Sequence, residues 1–226
     1  EHVYEKKDIS FSNLMKALKH DFVGFDSLRL RLLYETAKYG NDDDFADQQA
    51  ADLFKIYFDA INGRPTSRGG VHRINLLPTT CHIYFGEVLG AMPDGRKAGE
   101  PVSEGISPVQ GADRQGPTAV VNTMSKLDHL RTGGTLLNMK FTPSFFKGEK
   151  SKQQMTALIR SYFYRDGHHI QFNVVDAQTL RQAQANPERF ADLIVRVAGY
   201  SDYFNDLTPQ LQDEIIKRTE HDFNIN

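Results

Sequence analysis

The chain has 226 residues, and its 27 basic and 29 acidic side chains give a formal net charge of −2 at pH 7. A chain without a basic surplus is a poor candidate for binding nucleic acid or an anionic membrane surface, so we expect neither partner. No apolar run approaches the ~18 residues of a membrane span. The single cysteine, Cys81, excludes an internal disulfide, which favours a cytoplasmic protein.

Residues 1–62 are predicted to be helical. The first helix carries its apolar residues at helical spacing and stops at Gly24. The second helix is capped by Asp26 and ends near Gly40. The third helix follows a polar run at 41–44 and carries an apolar stripe.

The acidic residues of that run suggest two uses. Asp42, Asp43, Asp44 and Asp47 could bind a cation, but they lack the alternating spacing of a calcium loop. Carboxylates at a helix N-terminus also accept hydrogen bonds from free backbone N–H groups and interact favourably with the helix dipole. We therefore interpret the run as the N-terminal cap of the third helix.

The middle of the chain is predicted to contain strands and one long loop. Segment 74–85 is strand-like with an interruption at Pro78, and the glycine- and proline-rich segment 86–117 is predicted as a loop. Loops of that length in a compact domain are usually functional or packed on themselves. Further strands are predicted at Thr118–Met124, Gly134–Phe141 and His168–Val175.

The remaining helices are predicted from their first residues. Ser151 caps one helix, and Asp176 caps another over 177–185. Pro187 starts a short helix, and Thr208 precedes a proline at the start of the last helix. Strands that alternate with helices indicate an α/β fold with a barrel-like layout.

The last predicted strand, Leu193–Ala198, leads into a tight turn at Gly199. A strand end with a turn glycine is common, because glycine adopts positive φ at no steric cost. The neighbouring residues make this turn more specific: they read Arg196-Val197-Ala198-Gly199-Tyr200-Ser201, with Phe204 three places on. This stretch resembles the signature of the glycyl radical enzymes.

The resemblance covers nearly the whole chain. Three segments are similar to the family's long internal loop and to the strand before the radical-bearing turn: Met92–Gly99, Gly105–Gly111 and His169–Asp176. Within the family, Arg131–Phe141 is similar to the diol-dehydratase-like branch, and most similar to members that act on trans-4-hydroxy-L-proline.

The resemblance also implies a fold. Glycyl radical enzymes form a ten-stranded α/β barrel made of two antiparallel half-barrels, and this chain would supply the second half-barrel with flanking helices and the C-terminal glycyl radical loop. The implied divisions are a helical part at 1–62, barrel strands and helices at 63–185, and a glycyl radical domain at 186–226.

In this family the glycine loses an α-hydrogen and stores a radical on its backbone, a role that falls to Gly199. Because glycine has no Cβ, its Cα can flatten and the unpaired electron spreads over both flanking amides, whereas a side chain would crowd the turn. No bound cofactor is implied, since a radical SAM iron–sulfur activase installs the radical. For Arg196 a salt bridge to a nearby acid is an alternative role. The signature residues expected to shape the turn for the activase, or simply to pack it, are Arg196, Val197, Ala198, Tyr200 and Ser201.

The family's second catalytic group is missing from this chain. In the relatives, a cysteine in a Cys-x-Glu motif gives its hydrogen atom to the glycyl radical and attacks substrate as a thiyl, with the glutamate as acid–base group. Cys81 is followed by His82 and Ile83, so we interpret it as a strand cysteine that is buried or near the barrel interior. We expect this chain alone to be inactive and to need the missing N-terminal portion, in an enzyme that is a homo-oligomer when intact.

Two more groups could bind ligands. Thr79 and Thr80 lie at the predicted strand break, where they could hydrogen-bond a small polar substrate or close a turn. A metal site is not expected, because the adjacent His168 and His169 would point to opposite faces of a strand.

The resemblance implies radical dehydration, with cleavage of a C–O bond in a small hydroxylated substrate such as trans-4-hydroxy-L-proline. Dehydration of glycerol or propanediol and C–N cleavage of choline are also consistent with the family. Two hypotheses from different classes are a spare part that docks on a damaged partner enzyme and supplies a fresh glycine, and an inactive structural relative. The chain begins with Glu1 rather than Met, which favours a piece of a longer enzyme. Such a piece should expose strand edges and self-associate.

Overall fold

The computed structural model describes residues 1–77, 80–218 and 220–221. These residues form eight α-helices: α1 Phe11–Lys19, α2 Asp26–Tyr34, α3 Asp44–Ile61, α4 Cys81–Val88, α5 Gly116–Met124, α6 Glu149–Tyr164, α7 Ala177–Ala185 and α8 Pro209–Lys217. They also form five strands: β1 Leu137–Phe141, β2 Ile170–Val174, β3 Ile194–Arg196, β4 Ser201–Tyr203 and β5 Glu220–His221. The chain divides into two compact units, one of Glu1–Ala37 with Cys81–Val102 and one of Lys38–Thr80 with Ser103–Asn226.

The first unit packs helices around a small apolar core. The buried residues of that core are Ile9, Leu14, Ala17, Phe22 and Leu32. Ser10 caps α1 by accepting a hydrogen bond from the N–H of Asn13 at 3.2 Å. After α4, the buried guanidinium of Arg96 donates to the carbonyls of Gly90, at 2.7 Å, and Glu100. The segment predicted as a long loop is therefore organised in part around a buried cation.

The strand predicted at 74–85 is wrong over its described residues, because Leu76 makes only an isolated bridge with Thr135 and Cys81–Val88 forms α4. Its aromatic and β-branched residues favour a strand, but such preferences yield to tertiary packing. A Cβ built on Gly86 would lie 2.3 Å from the carbonyl oxygen of Glu100. Glycine therefore lets the returning chain press directly against this helix.

The second unit contains a parallel sheet in the order β2-β1-β5. β1 and β2 pair in register from Leu137 opposite Ile170 to Phe141 opposite Val174. Parallel neighbours need a crossover connection, and α6 lies in the segment between these two strands. On the other edge of β1, Phe141 lies opposite His221 of β5.

The core of the second unit includes β1 and three helices. The buried residues they contribute are Leu137, Met139 and Phe141 from β1, Phe54 from α3, Val120, Val121 and Met124 from α5, and Met155, Leu158 and Tyr162 from α6. Four of the five residues of β1 are buried, which is typical of a central strand in a sheet covered on both faces.

The predicted strand at Thr118–Met124 is also wrong, because these residues belong to α5. Pro117 lies in the first turn of the helix, where a missing N–H costs no intrahelical hydrogen bond. Seven of the nine residues of α5 are buried. A helix surrounded by protein shows little amphipathic period, so a short apolar run of this kind is easily taken for a strand.

Two predicted N-caps and the predicted start of the last helix are confirmed by side-chain hydrogen bonds. Asp43, Asp176 and Thr208 each accept from the backbone N–H three residues later, at 3.1, 2.6 and 3.4 Å. Two more predicted caps are wrong, since Asp26 is the first residue of α2 and α6 begins before Ser151, at the residue that follows a glycine.

The remaining predicted elements are present within narrower bounds. The strands predicted at Gly134–Phe141, His168–Val175 and Leu193–Ala198 are confirmed as β1, β2 and β3. A short 3-10 helix covers Pro187–Phe190, as predicted. By contrast, α2 ends at Tyr34 and does not extend to the neighbourhood of Gly40.

The acidic run before and within α3 surrounds a lysine. The Lys126 ammonium lies 3.0 Å from Asp42, 2.8 Å from Asp44 and 2.7 Å from Asp47. Burial raises the pKa of Asp47, and the nearby ammonium opposes that rise. Together with the cap at Asp43, these ion pairs give the run a structural role.

Candidate functional site around Gly199

Gly199 lies at the tip of a β-hairpin. β3 and β4 pair antiparallel, and Arg196 opposite Ser201 is the last pair before the turn. Beyond this pair, the N–H of Val197 donates to the carbonyl of Tyr200 at 2.9 Å. Two residues, of which Gly199 is the second, therefore make the turn.

The backbone conformation explains why glycine occupies this position. Gly199 has φ +81°, in the left-handed region that glycine adopts without steric cost. A Cβ built on Gly199 would lie 3.7 Å from Leu136 Cδ1, an ordinary van der Waals distance. The expectation that a side chain would crowd the turn is therefore wrong, and the demand for glycine comes from φ.

The hairpin is buried at its base and exposed at its tip. The buried residues are Val195, Val197, Ala198 and Phe204. Gly199, Tyr200 and Ser201 are exposed in this chain. Partial burial and the neighbouring carboxylate of Asp202 raise the pKa of the Tyr200 hydroxyl. The tip is therefore accessible to contacts that this chain does not itself supply.

Both amides that flank the Gly199 Cα are hydrogen-bonded to side chains. The N–H of Gly199 donates to Gln171 Oε1 at 3.3 Å, and Arg196 Nη2 donates to the carbonyl of Gly199, also at 3.3 Å. Arg196 Nε donates to the same Gln171 oxygen at 2.7 Å, and Nη1 donates to Ser201 Oγ at 3.1 Å. Gln171, Arg196 and Gly199 thus close a ring of hydrogen bonds around the turn.

The backbone of Arg196 is held by a second amide side chain. Asn173 Oδ1 accepts from the N–H of Arg196 at 2.7 Å, and Asn173 Nδ2 donates to the carbonyl of Arg196 at 2.6 Å. Arg218 Nη1 donates to that same carbonyl at 3.3 Å. Among the described residues, no carboxylate forms a salt bridge with Arg196, so the predicted alternative role is not found there.

The hydrogen bonds of Gln171 continue into the sheet. Gln171 lies opposite Asn138 in the β1–β2 register, and its Nε2 donates to Asn138 Oδ1. Asn138 Nδ2 in turn donates to Glu104 Oε1. Ser107 Oγ donates to the same Glu104 oxygen at 3.0 Å and accepts from the N–H of Asn138 at 3.0 Å. A continuous chain of hydrogen bonds therefore joins Gly199 to a buried carboxyl group.

Glu104 is 3% exposed, and burial raises the pKa of its carboxyl to about 7. The charge of Arg218 and the hydrogen bond from Asn138 act in the opposite direction. A polar cavity of about 20 Å³ lies beside this carboxyl, with Ser107 and Asn138 in its wall. Its volume is that of roughly one water molecule.

Buried charged groups lie at α8 and at the residue that follows it. Glu214 and Arg218 form a buried ion pair, with 2.9 Å between Glu214 Oε2 and Arg218 Nη2. The buried ammonium of Lys140 donates to the carbonyl of Ile216 at 2.8 Å, at the C-terminal end of α8. A cation at that end of a helix is favourable because the free carbonyls carry partial negative charge.

Two of the remaining predicted site residues, Thr80 and Cys81, lie within the described part of the chain. Thr80 is half-buried and directly precedes α4, whereas Thr79 lies outside the described residues. Cys81 is exposed as the first residue of α4. The interpretation of Cys81 as a buried strand cysteine is therefore wrong, and its cause is the missed helix.

Sequence reasoning missed the polar residues that hold the turn. Gln171 and Asn173 lie two residues apart on β2, with the apolar residues Ile170 and Phe172 on the alternate positions. Both amides are buried, at 5% exposed. The alternation of amides with apolar residues on the strand that precedes the Gly199 hairpin is the feature of the sequence that indicates them.

Comparisons with known proteins place this geometry in context. A family model described as "Glycine radical" matches residues 102–205, and one described as "Pyruvate formate lyase-like" matches residues 1–86. The chain is 54% identical over 221 residues to the trans-4-hydroxy-L-proline dehydratase of Clostridioides difficile, covering 98% of this chain and 28% of that protein.

Two solved structures are similar to the chain. The hydroxyproline dehydratase of Clostridioides difficile with substrate bound superposes with a TM-score of 0.94 at 54% identity, over 97% of this chain and 28% of that one. The B12-independent glycerol dehydratase of Clostridium butyricum superposes with a TM-score of 0.93 at 44% identity, over 99% of this chain and 28% of that one. The chain therefore spans little more than a quarter of the length of these relatives.

These structural matches confirm the predicted fold class, since the chain has the fold of part of an α/β barrel of this type. Within the described residues, no helix is long and apolar enough to cross a membrane.

Proposed function

The chain belongs to the glycyl radical enzyme family, and we propose that Gly199 is the residue that stores the radical. The observation that carries this proposal is the hairpin itself. A glycine with φ +81° stands at the exposed tip of a hairpin whose base is buried, within the segment matched by the glycine radical model. The loss of one hydrogen atom from its Cα leaves one unpaired electron on the backbone.

The hydrogen bonds around Gly199 favour that chemistry. A backbone radical is delocalised by electron donation from the N–H side of Cα and electron withdrawal by the carbonyl side. Gln171 Oε1 accepts from the Gly199 N–H and strengthens donation, while the Arg196 guanidinium on the Gly199 carbonyl strengthens withdrawal. Both effects act on the same carbon, so the turn is suited to stabilise spin on Gly199.

We further propose that the complete protein catalyses radical dehydration of a small hydroxylated substrate. Trans-4-hydroxy-L-proline is favoured because the relative that bears its name is 54% identical to this chain, against 44% for the glycerol dehydratase. The thiyl-forming cysteine and its glutamate would come from the N-terminal portion of the enzyme. Thr79 and Thr80 remain candidates for contacts to the substrate.

The proposal includes a partner that loads the radical. No bound cofactor is needed on this chain, and a radical SAM iron–sulfur activase would remove the hydrogen atom from Gly199. The exposed tip residues, Tyr200 and Ser201, are the surface such an enzyme would meet first. Arg196, Val197 and Ala198 would hold the turn in the conformation it recognises. We propose a cytoplasmic, homo-oligomeric enzyme.

The radical assignment is tested on the complete protein under anaerobic conditions with such an activase. Electron paramagnetic resonance should show a doublet from the coupling of the electron to one remaining α-hydrogen. The signal should be absent from Gly199→Ala, and exposure to air should cut the backbone at Gly199. A doublet that survives in Gly199→Ala would overturn the assignment.

The substrate is tested separately with the activated protein. Trans-4-hydroxy-L-proline, glycerol, propanediol and choline are supplied in parallel, and mass spectrometry follows the loss of one water or, for choline, of the amine. We expect turnover of trans-4-hydroxy-L-proline and little of the rest. Preferred turnover of glycerol or propanediol would assign the enzyme to that activity within the family.

A further inference from the structure

The hydrogen bonds between Glu104 and Gly199 have a single direction. A primary amide has one end that only donates and one end that only accepts, so its two neighbours decide its orientation. Asn138 donates to Glu104 and accepts from Gln171, and Gln171 donates to Asn138 and accepts from Gly199. Both amides therefore present the same polarity along the chain of hydrogen bonds.

We propose that Gln171 is a positioning residue for Gly199, and that Glu104 fixes its orientation through Asn138. The inference rests on the proposed role of Gly199 as radical store. It concerns residues outside the glycine turn, and it explains why an amide side chain, that of Gln171, occupies a buried position in the sheet.

Glu104 determines the donor-to-acceptor direction of these hydrogen bonds because its Oε1 acts only as an acceptor. Two donors, Asn138 Nδ2 and Ser107 Oγ, converge on that oxygen. When the carboxyl carries a proton, Oε2 can hold it, since Oε2 has no protein partner. Oε1 therefore accepts from Asn138 in both protonation states, and the orientation of Asn138 follows.

The orientation of Gln171 follows from that of Asn138. Asn138 Oδ1 requires a donor, so Gln171 must direct Nε2 towards it and Oε1 towards the hairpin. If Gln171 were reversed, its NH2 group would face the N–H of Gly199 and Nε of Arg196. Three donors would then meet without an acceptor, in a partly buried site where unpaired donors are costly. The ring around the turn would open.

The experiment uses the complete protein at alkaline pH, where Glu104 is ionised. It exchanges the donor and acceptor ends of the chain of hydrogen bonds in two steps, first at Gln171 and then at Glu104. In Gln171→Glu, the second carboxylate oxygen faces Asn138, and Asn138 cannot donate to both Glu104 and the new glutamate. Two acceptor oxygens then face each other where Gln171 donated to Asn138, and their repulsion should displace the carboxylate from the position in which it accepts from the N–H of Gly199. We expect the exchange rate of the Gly199 amide hydrogen to rise about tenfold, which corresponds to the loss of one hydrogen bond. The radical yield after activation should fall by a similar factor.

The double variant Glu104→Gln with Gln171→Glu should restore both measurements. There the glutamate accepts from Asn138 Nδ2, and the new glutamine donates to Asn138 Oδ1, so donors and acceptors match again at both contacts of Asn138. Glu104→Gln alone should leave both measurements within about twofold, because its amide oxygen can still accept from Asn138. Gln178→Glu on the exposed surface of α7 is the control for added charge.

The two measurements separate this inference from the proposed function. If the unmodified protein shows no doublet, the radical assignment fails, yet exchange at Gly199 still tests the hydrogen-bond chain. The inference is overturned if Gln171→Glu and Gln171→Leu both leave exchange and radical yield unchanged. It is also overturned if the double variant folds, by its melting temperature, but behaves like Gln171→Glu.

Discussion

Asn173 holds both backbone polar groups of Arg196 with one side chain. The N–H of Arg196 lies 2.7 Å from Asn173 Oδ1, and the carbonyl of Arg196 lies 2.6 Å from Asn173 Nδ2. The hairpin formed by β3 and β4 is a separate two-stranded sheet, so it has no backbone ladder to β2. An amide side chain supplies the two hydrogen bonds that a neighbouring strand would otherwise provide.

We expect Asn173→Leu to loosen the hairpin from the sheet. Leucine leaves the N–H of Arg196 without this partner and removes a donor from its carbonyl, at a cost of about 2–4 kcal/mol in local opening free energy. Native-state hydrogen exchange of β3 and β4 measures that opening. Asn13→Leu, on the exposed side of α1, should stay within about 0.5 kcal/mol of the parent. Unchanged protection in Asn173→Leu would show that apolar packing alone holds the hairpin.

Gly199→Ala separates the need for glycine in folding from the proposed role of Gly199 in radical storage. The positive φ of Gly199 should cost alanine about 1 kcal/mol, while the space for a Cβ is sufficient. Gly69→Ala is a matched control, since Gly69 has φ +80° and no atom within 4 Å of a built Cβ. Both variants should have a slightly lower melting temperature than the parent, and only Gly69→Ala should give a radical signal. Collapse of the fold in Gly199→Ala alone would contradict this account.

Stability should depend on pH through Glu104. Its pKa is raised from 4.5 to about 7 in the folded protein, so between these values the folded state binds a proton that the unfolded state has lost. Stability is therefore highest below the lower value and falls as pH rises towards the upper one, by about 3 kcal/mol in all. Chemical unfolding across this pH range should show the decline.

Glu104→Gln should remove that part of the pH dependence, because an amide does not titrate. Glu87→Gln, at an exposed position of α4, is the control that removes a carboxyl without touching the buried network. A decline of equal size in Glu104→Gln would assign the pH dependence to different groups.

Removing one member of the buried ion pair between Glu214 and Arg218 should destabilise the fold more than replacing both members with apolar residues. Glu214→Leu leaves the guanidinium buried beside an apolar group and should cost about 3–5 kcal/mol. The double variant with Arg218→Met should recover most of that loss, since it buries no unpaired charge. Denaturant unfolding compares the two. A double variant as unstable as the single one would show that the hydrogen bond from Arg218 to Arg196 dominates.

Tyr200→Ala should test the exposed tip as the surface met by an activating enzyme. Tyr200 is 42% exposed, and its backbone carbonyl accepts from Val197 across the turn, so truncating the side chain should cost the fold little. We expect unchanged melting and a several-fold slower appearance of the radical. Tyr203→Ala, at 46% exposed on the same hairpin, is the control away from the tip. Equal activation rates in all three proteins would place recognition elsewhere.

Much of the fold was predictable because local chemistry determines it. The caps at Asp43, Asp176 and Thr208 follow from side-chain oxygens that face free N–H groups, and the strand leading to Gly199 follows from its apolar run. One of the wrong strands is α5, whose apolar residues face protein on several sides, so burial hides the helical period. The other is α4, which leaves Tyr84, Phe85 and Val88 exposed, and there the aromatic and β-branched composition favours a strand.

The candidate site was predictable only at its centre. Gly199 stands out by its neighbours in sequence, whereas Glu104, Asn138 and Gln171 are far apart along the chain. They lie close together because β1 and β2 are paired in register and because the segment before α5 brings Glu104 within hydrogen-bond distance of Asn138. These contacts depend on tertiary structure, so the sequence around one polar residue in a strand does not predict its hydrogen-bond partner.

The pairing of β5 with β1 bears on how oxygen damage would be seen. A scission at Gly199 would leave α8 and Glu220–His221 tied to the rest by the sheet, by Lys140 and by the hydrogen bond from Arg218 to the carbonyl of Arg196. The cleaved C-terminal segment should therefore remain bound to the rest of the protein by noncovalent contacts. A native mass or a sizing column would report an undamaged particle, and only a denaturant would reveal that the polypeptide had been cut.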